Sequence, residues 1–104
     1  MEIKYCDNWF EKLAGLMFTF RDSRALVFSF KKEKIVPLHM FFVFHPIDVV
    51  FLDSGKRIVE TKIDFMPFAV YIPRNKAKYV IELPQGYIKK NNISIGNIFS
   101  VVNI

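Results

Sequence analysis

The sequence predicts a mainly β fold: a compact β-sandwich or distorted barrel of about six to eight short strands with one or two short helices. Three observations predict it. From Ala25 onward apolar residues recur with a period of two, the spacing of side chains on one face of a strand. Turn-forming clusters such as Asp53-Ser54-Gly55-Lys56 and Pro84-Gln85-Gly86 break the apolar runs at short intervals. Hydrophobic residues make up 52% of the 104, and twelve residues are Phe, enough to build one core in a single domain spanning residues 1–104.

Taken in order, Asn8-Trp9-Phe10-Glu11 has the spacing of a capping box and predicts a short helix, with Trp9, Leu13 and Leu16 on one face and Gly15 as its stop. Ala25 to Phe30 is a near-continuous apolar strand. Ile35 to Phe44 reads as a strand with Leu38, Met40, Phe42 and Phe44 on one face and His39, Phe41 and Val43 on the other. Both of its faces are apolar, so it belongs inside a sandwich or barrel. Ile47 to Asp53 and Arg57 to Met66 predict a hairpin whose turn is expected to place Gly55 at positive φ. Its second strand is expected to turn Val59, Thr61, Ile63 and Phe65 inward and Glu60, Lys62 and Asp64 to water. Pro67 to Asn75 reads as a loop pinned to the body by Phe68, Val70, Tyr71 and Ile72. A strand over Lys78 to Leu83 follows, with Tyr79, Ile81 and Leu83 on one face. Tyr87 to Asn92 reads as a helical turn, Ser94 to Asn97 as a loop around Gly96, and Ile98 to Val102 as a closing strand.

No apolar run approaches the roughly 20 residues of a membrane-spanning helix. The N-terminus has no secretory pattern, and there is a single cysteine, Cys6. A cytoplasmic location without membrane insertion is the expectation. A net charge of +5 and a pI near 9.4 raise the question of nucleic acid. The basic residues, however, fall in small groups beside turns, at Lys31, Lys32 and Lys34, Lys56 and Arg57, Arg74, Lys76 and Lys78, and Lys89 and Lys90. Turn lysines keep strand edges soluble, which disfavours nucleic acid as a partner and leaves a polyanion surface as the alternative.

Several chemistries lack their residues. His39 and His45 in an extended segment stand about 20 Å apart at ~3.3 Å per residue, too far to share an ion, so no metal site is expected. Four glycines cannot supply a P-loop or dinucleotide fingerprint, no serine sits in a nucleophile elbow, and no cofactor is expected. Two acidic residues lie inside apolar runs, Asp48 in Ile47-Asp48-Val49-Val50 and Glu82 in Ile81-Glu82-Leu83. A shielded carboxylate must be hydrogen-bonded, ion-paired or protonated, and such groups collect at binding sites as well as at structural ones. Asp48, Glu82, Arg21 and His39 are therefore the candidate binding residues, with Arg24 a further possible partner for the carboxylates; no catalytic residue is assigned.

Gly15-Leu16-Met17-Phe18, Ala25-Leu26-Val27-Phe28, Met40, Pro46-Ile47-Asp48-Val49-Val50-Phe51-Leu52-Asp53, Tyr79-Val80-Ile81-Glu82-Leu83-Pro84-Gln85-Gly86 and Gly96 together resemble domain-of-unknown-function family 192. The resemblance runs from about Trp9 to Val102, and its motif positions are Gly15, Met17, Met40, Pro46, Gly86 and Gly96. It implies a compact, mostly β single domain of bacteria and archaea, often exported in bacteria, with no established activity. Many members follow the methionine with Lys-Asn-Thr, where this chain has Phe41, Phe42 and Val43. His39 replaces a tryptophan, and Thr19 an arginine. The resemblance thus implies that three groups of a polar cluster are absent here while Asp48 and Pro46 remain. The functional expectation is a non-enzymatic binding or protein-interaction module for a protein partner, a small apolar ligand or a second copy. The alternative is a small enzyme or polyanion binder using a cleft around Asp48 and basic residues.

Overall fold

Ile47–Leu52 form a strand in which every residue is buried, and the fold is arranged around it in the computed structural model, which describes residues 3–6, 25–39 and 46–99. In chain order the elements are β1 (Ile3–Cys6), β2 (Ala25–Lys34), β3 (Leu38–His39), β4 (Ile47–Leu52), β5 (Ile58–Phe65), β6 (Val70–Tyr71), β7 (Ala77–Pro84) and the one-turn helix α1 (Tyr87–Lys90). Five strands make one sheet in the order β1-β2-β7-β4-β5, antiparallel except for the parallel β1–β2 pair. β3 and β6 pair as a second, two-stranded antiparallel sheet. The fold is mainly β with one short helix, as the period-two pattern required. No helix among the described residues is long and apolar enough to cross a membrane.

Side chains alternate across β4, and each set enters its own core. Ile47, Val49 and Phe51 pack with Phe28, Leu38, Phe65, Ala77 and Val80, and the small sheet adds Leu38 and the half-buried Tyr71 to that side. Val50 and Leu52 pack with Val27, Ile58, Ile81, Leu83, Ile88 and Phe99, so α1 and the chain after it cover the other side. Burial on both faces is why β4 and β7 read as continuous apolar runs rather than alternating ones. A fully buried Phe or Leu such as Phe51 or Leu52 contributes about 1.5–3 kcal/mol relative to an exposed one.

The hairpin forms where the turn signal placed it, but the left-handed residue is Lys56, at φ 64, and not Gly55. Asp53 explains the difference. Its Oδ1 accepts from the Gly55 and Arg57 backbone N–H groups, each at 2.9 Å, and its carbonyl accepts from Lys56 at 3.0 Å, winding the turn around the aspartate. The inward face expected for β5 is also corrected. Ile58 and Glu60 are buried with Phe65, whereas Ile63 is exposed. Two register shifts against β4 account for this: one falls between Phe51 and Leu52, and the other lies opposite Asp48, with Asp64 at φ 54. Each extra residue flips the side chains that follow, which strict alternation does not anticipate.

Pro67 to Asn75 contains β6, and its Tyr71 joins the core side, so the pinned loop is partly a strand. Of the closing strand expected over Ile98 to Val102, Ile98 makes an isolated bridge to Arg57, and residues 100–102 lie outside the described residues. The chain there is stitched to the turn by Ile58 N–H to the Asn97 carbonyl at 2.8 Å and Phe99 N–H to the Lys56 carbonyl at 3.0 Å. Gly86 precedes α1 at φ 85, which a residue with a Cβ adopts only under strain. The helix expected after Asn8, the positions Gly15, Met17, Arg21 and Met40, and the strand residues from Phe41 to Phe44 lie outside the described residues.

Candidate functional site

Asp48 and Glu82, paired in the sequence argument, are separated by the sheet. Across the β4–β7 ladder Asp48 opposes Leu83 and Val49 opposes Glu82, and directly opposed residues share a face, so the two carboxyl groups project from opposite faces. Arg21 lies outside the described residues. His39 is placed in β3 with its backbone opposite Val70.

Asp48 is occupied by the main chain. One carboxylate oxygen accepts the Asp64 N–H at 3.1 Å, closing the β5 bulge, and the other accepts the Ile88 N–H at 3.0 Å, fastening α1 to the sheet. Both oxygens of this fully buried side chain therefore hold backbone donors that would otherwise be unpaired.

Glu82 is the contrary case. It is 3% exposed on the central strand β7, and its Oε1 has no hydrogen-bond partner. Burial pushes the carboxyl up to about 8, so the group carries its proton at neutral pH. A buried carboxyl oxygen without a donor adds its desolvation cost and no compensating hydrogen bond.

Glu60, which strict alternation turned to solvent, is the carboxylate with the most partners among the described residues. Oε1 accepts the Arg74 N–H at 2.9 Å, the Asn75 N–H at 3.0 Å and the Asn75 side-chain amide at 3.0 Å, while Oε2 accepts the Tyr71 hydroxyl. Desolvation works to raise its pKa, but the four bonds together lower it below the usual carboxylate value. The same bond pushes the Tyr71 phenol up to about 12. Tyr71 in turn stacks at 6.0 Å from Phe51 and 6.3 Å from Phe65, and the Lys62 ammonium lies 5.4 Å from its ring centre. The sequence signal was available in Pro73-Arg74-Asn75, a turn whose two leading amides need an acceptor.

The Glu60 network fixes a surface. From Phe65 to Pro73 exposure alternates: Phe65, Ala69 and Tyr71 face the core, and Pro73 is buried. Between them Met66 is 54% exposed, Phe68 60%, Val70 53% and Ile72 67%. Sheets facing water put polar residues at those outward positions; here every one is large and apolar. A second concavity lies on the Ile88 side of the sheet, a cavity of ≈ 260 Å³ lined by Ile58, Tyr87, Ile93 and Phe99 with the carboxamides of Asn91, Asn92 and Asn97.

The model of DUF192, described as an uncharacterized ACR family, matches residues 1–101. A UPF0127 protein of Thermococcus sibiricus is 40% identical over 97 residues, covering 91% of this chain and 62% of its own length. A UPF0127 protein of Pyrococcus furiosus is 31% identical over 99 residues, covering 93% of this chain and 84% of its own. This chain therefore spans about three fifths of the Thermococcus relative. A crystal structure of a Sinorhizobium meliloti protein, described as a candidate transcription regulator, superposes with a TM-score of 0.82 at 24% identity over 90% of this chain and 76% of that one. A protein of unknown function from Novosphingobium aromaticivorans superposes with a TM-score of 0.80 at 18% identity over 90% and 70%. These two share the fold. With the motifs of β4 and β7 in place and a family match over nearly its whole length, this chain belongs to the DUF192 family of uncharacterised proteins.

Proposed function

We propose that this chain acts as a single-domain, non-enzymatic protein-interaction module and that the strip Met66, Phe68, Val70 and Ile72 is its docking surface. The carrying observation is the run of four large apolar side chains at alternate positions, each more than half exposed, on a segment anchored beneath by Tyr71 and Glu60. The partner is a different protein presenting apolar side chains flanked by acidic ones. Lys62 and Arg74 border the strip, and a net charge of +5 makes a second copy repulsive where an acidic partner is attracted. A cleft built on Asp48 has less support, because both of its oxygens already accept main-chain donors.

The test compares the wild-type chain with the double variant Phe68→Ser, Ile72→Ser, each tagged and recovered from cells of its source. A stoichiometric partner that binds the purified wild type, and binds the variant at least tenfold more weakly at equal melting temperature, supports the reading. Equal binding by both chains overturns it.

A further inference from the structure

We propose that the cavity beside α1 is a second, independent binding site, taking an acidic peptide that inserts one apolar side chain. Its floor is apolar and preformed: Ile58 and Phe99 are buried, and Ile93 and Tyr87 pack against the same core. Its volume of ≈ 260 Å³ is below the roughly 300–1,000 Å³ of sites for whole drug-sized ligands and suits a single side chain acting as an anchor.

The upper wall carries amides with spare capacity. Asn91 spends its Nδ2 on the Tyr87 carbonyl at 2.9 Å, which leaves its Oδ1. The side chains of Asn92 and Asn97 make no hydrogen bond among the described residues. A carboxamide offers a donor and an acceptor together, the complement of a peptide unit, and among the described residues no charged side chain lines the cavity. Ile98, which lines the cavity and is 56% exposed, extends its apolar surface outward, which favours a peptide over a nucleotide.

Charge sets the flanks of that peptide. Lys89 and Lys90 end α1 immediately before Asn91 and are exposed, and Arg57 precedes Ile58. From Leu83 to the end of the chain there is no Asp or Glu. A pocket lined among the described residues by no charged side chain, with the exposed Lys89 and Lys90 next in the chain to its Asn91 wall and Arg57 held near it by a 2.7 Å bond to the Gly96 carbonyl, selects acidic residues beside an apolar anchor. The site lies across the sheet from the Met66–Ile72 strip, so it stands or falls separately from the docking surface proposed above.

The test is an amide-resolved NMR titration of the full chain with an acetylated pentapeptide amide, phenylalanine between two pairs of acidic residues. The expected result is saturable shifts at Ile58, Ile88, Asn91, Asn97 and Phe99. Binding should weaken at least tenfold when alanine replaces the phenylalanine and at least tenfold in the exposed double variant Lys89→Glu, Lys90→Glu. Phe68→Ser should bind as wild type. The proposal is overturned if the alanine peptide binds equally, if no residue of the cavity shifts, or if adenosine monophosphate shifts these residues and the peptide does not.

Discussion

Glu82 holds its proton through the pH range in which an ordinary glutamate has lost it, because burial on the β7 face penalises the charged form without supplying a donor in return. The linkage sign follows. The folded chain binds this proton between the ordinary carboxyl value of 4.5 and about 8, and the unfolded chain does not, so stability falls as pH rises across that window. The slope is about 1.4 kcal/mol per pH unit. Glu82→Met should remove that slope and raise stability at pH 7 by on the order of 3 kcal/mol, the cost of reprotonating the carboxyl on folding at that pH. Urea unfolding of both chains from pH 5 to 8 measures it; parallel curves would contradict the burial argument. Glu82 was recognisable in the sequence as an acid between Ile81 and Leu83. That it lacks a donor was not, because the identity of the residue facing it depends on which strands are neighbours.

At the scale of elements, two carboxylates do opposite work to Glu82. Asp48 fastens the β5 bulge and α1 to β4, and Asp48→Asn puts a donor where an acceptor is required. A loss of about 1–3 kcal/mol is expected, with hydrogen exchange accelerating at the Asp64 and Ile88 amides ahead of the rest of the sheet. Glu60 gathers the turn after β6, and its lowered pKa gives a contribution that is present above the ordinary carboxyl range and lost as pH falls through it. Tyr71→Phe removes the hydroxyl from Oε2 and should cost about 1–3 kcal/mol at pH 7, with a cost that shrinks as the pH is lowered and the carboxylate takes up its proton; chemical denaturation over an acid pH series measures it. The hairpin around Asp53 and the helical turn at Tyr87 were legible, since turn chemistry is local. The inward face of β5 was not: bulges opposite Asp48 and near Val59 turn Glu60 in and Ile63 out, and a bulge is decided by the partner strand.

For the molecule as a whole, one core side ends in the small sheet and the exposed strip, the other in α1 and the amide-walled cavity. The segment 65–73 makes the contrast sharpest, since its large apolar residues differ wholly in role. Phe65→Ala opens a cavity in the core and should cost about 3–5 kcal/mol, whereas Ile72→Ser, at a position 67% exposed, should change stability by no more than about 0.5 kcal/mol. Thermal unfolding of the two variants distinguishes them, and equal losses would remove the strip from consideration as a docking surface.

By itself the sequence determined the mainly β class, the hairpin, the helical turn and the family, because periodicity, turn residues and motif spacing are properties of the chain read in one dimension. It also marked Asp48 and Glu82 as acids in apolar surroundings. Only the tertiary structure decided that the two face away from each other, that one holds a main-chain donor on each oxygen while the other has an Oε1 with no partner, and that Phe68 is largely exposed while Phe65 is buried. Those outcomes depend on strand order, on two register shifts and on what packs over each face, all of which join residues far apart in the chain.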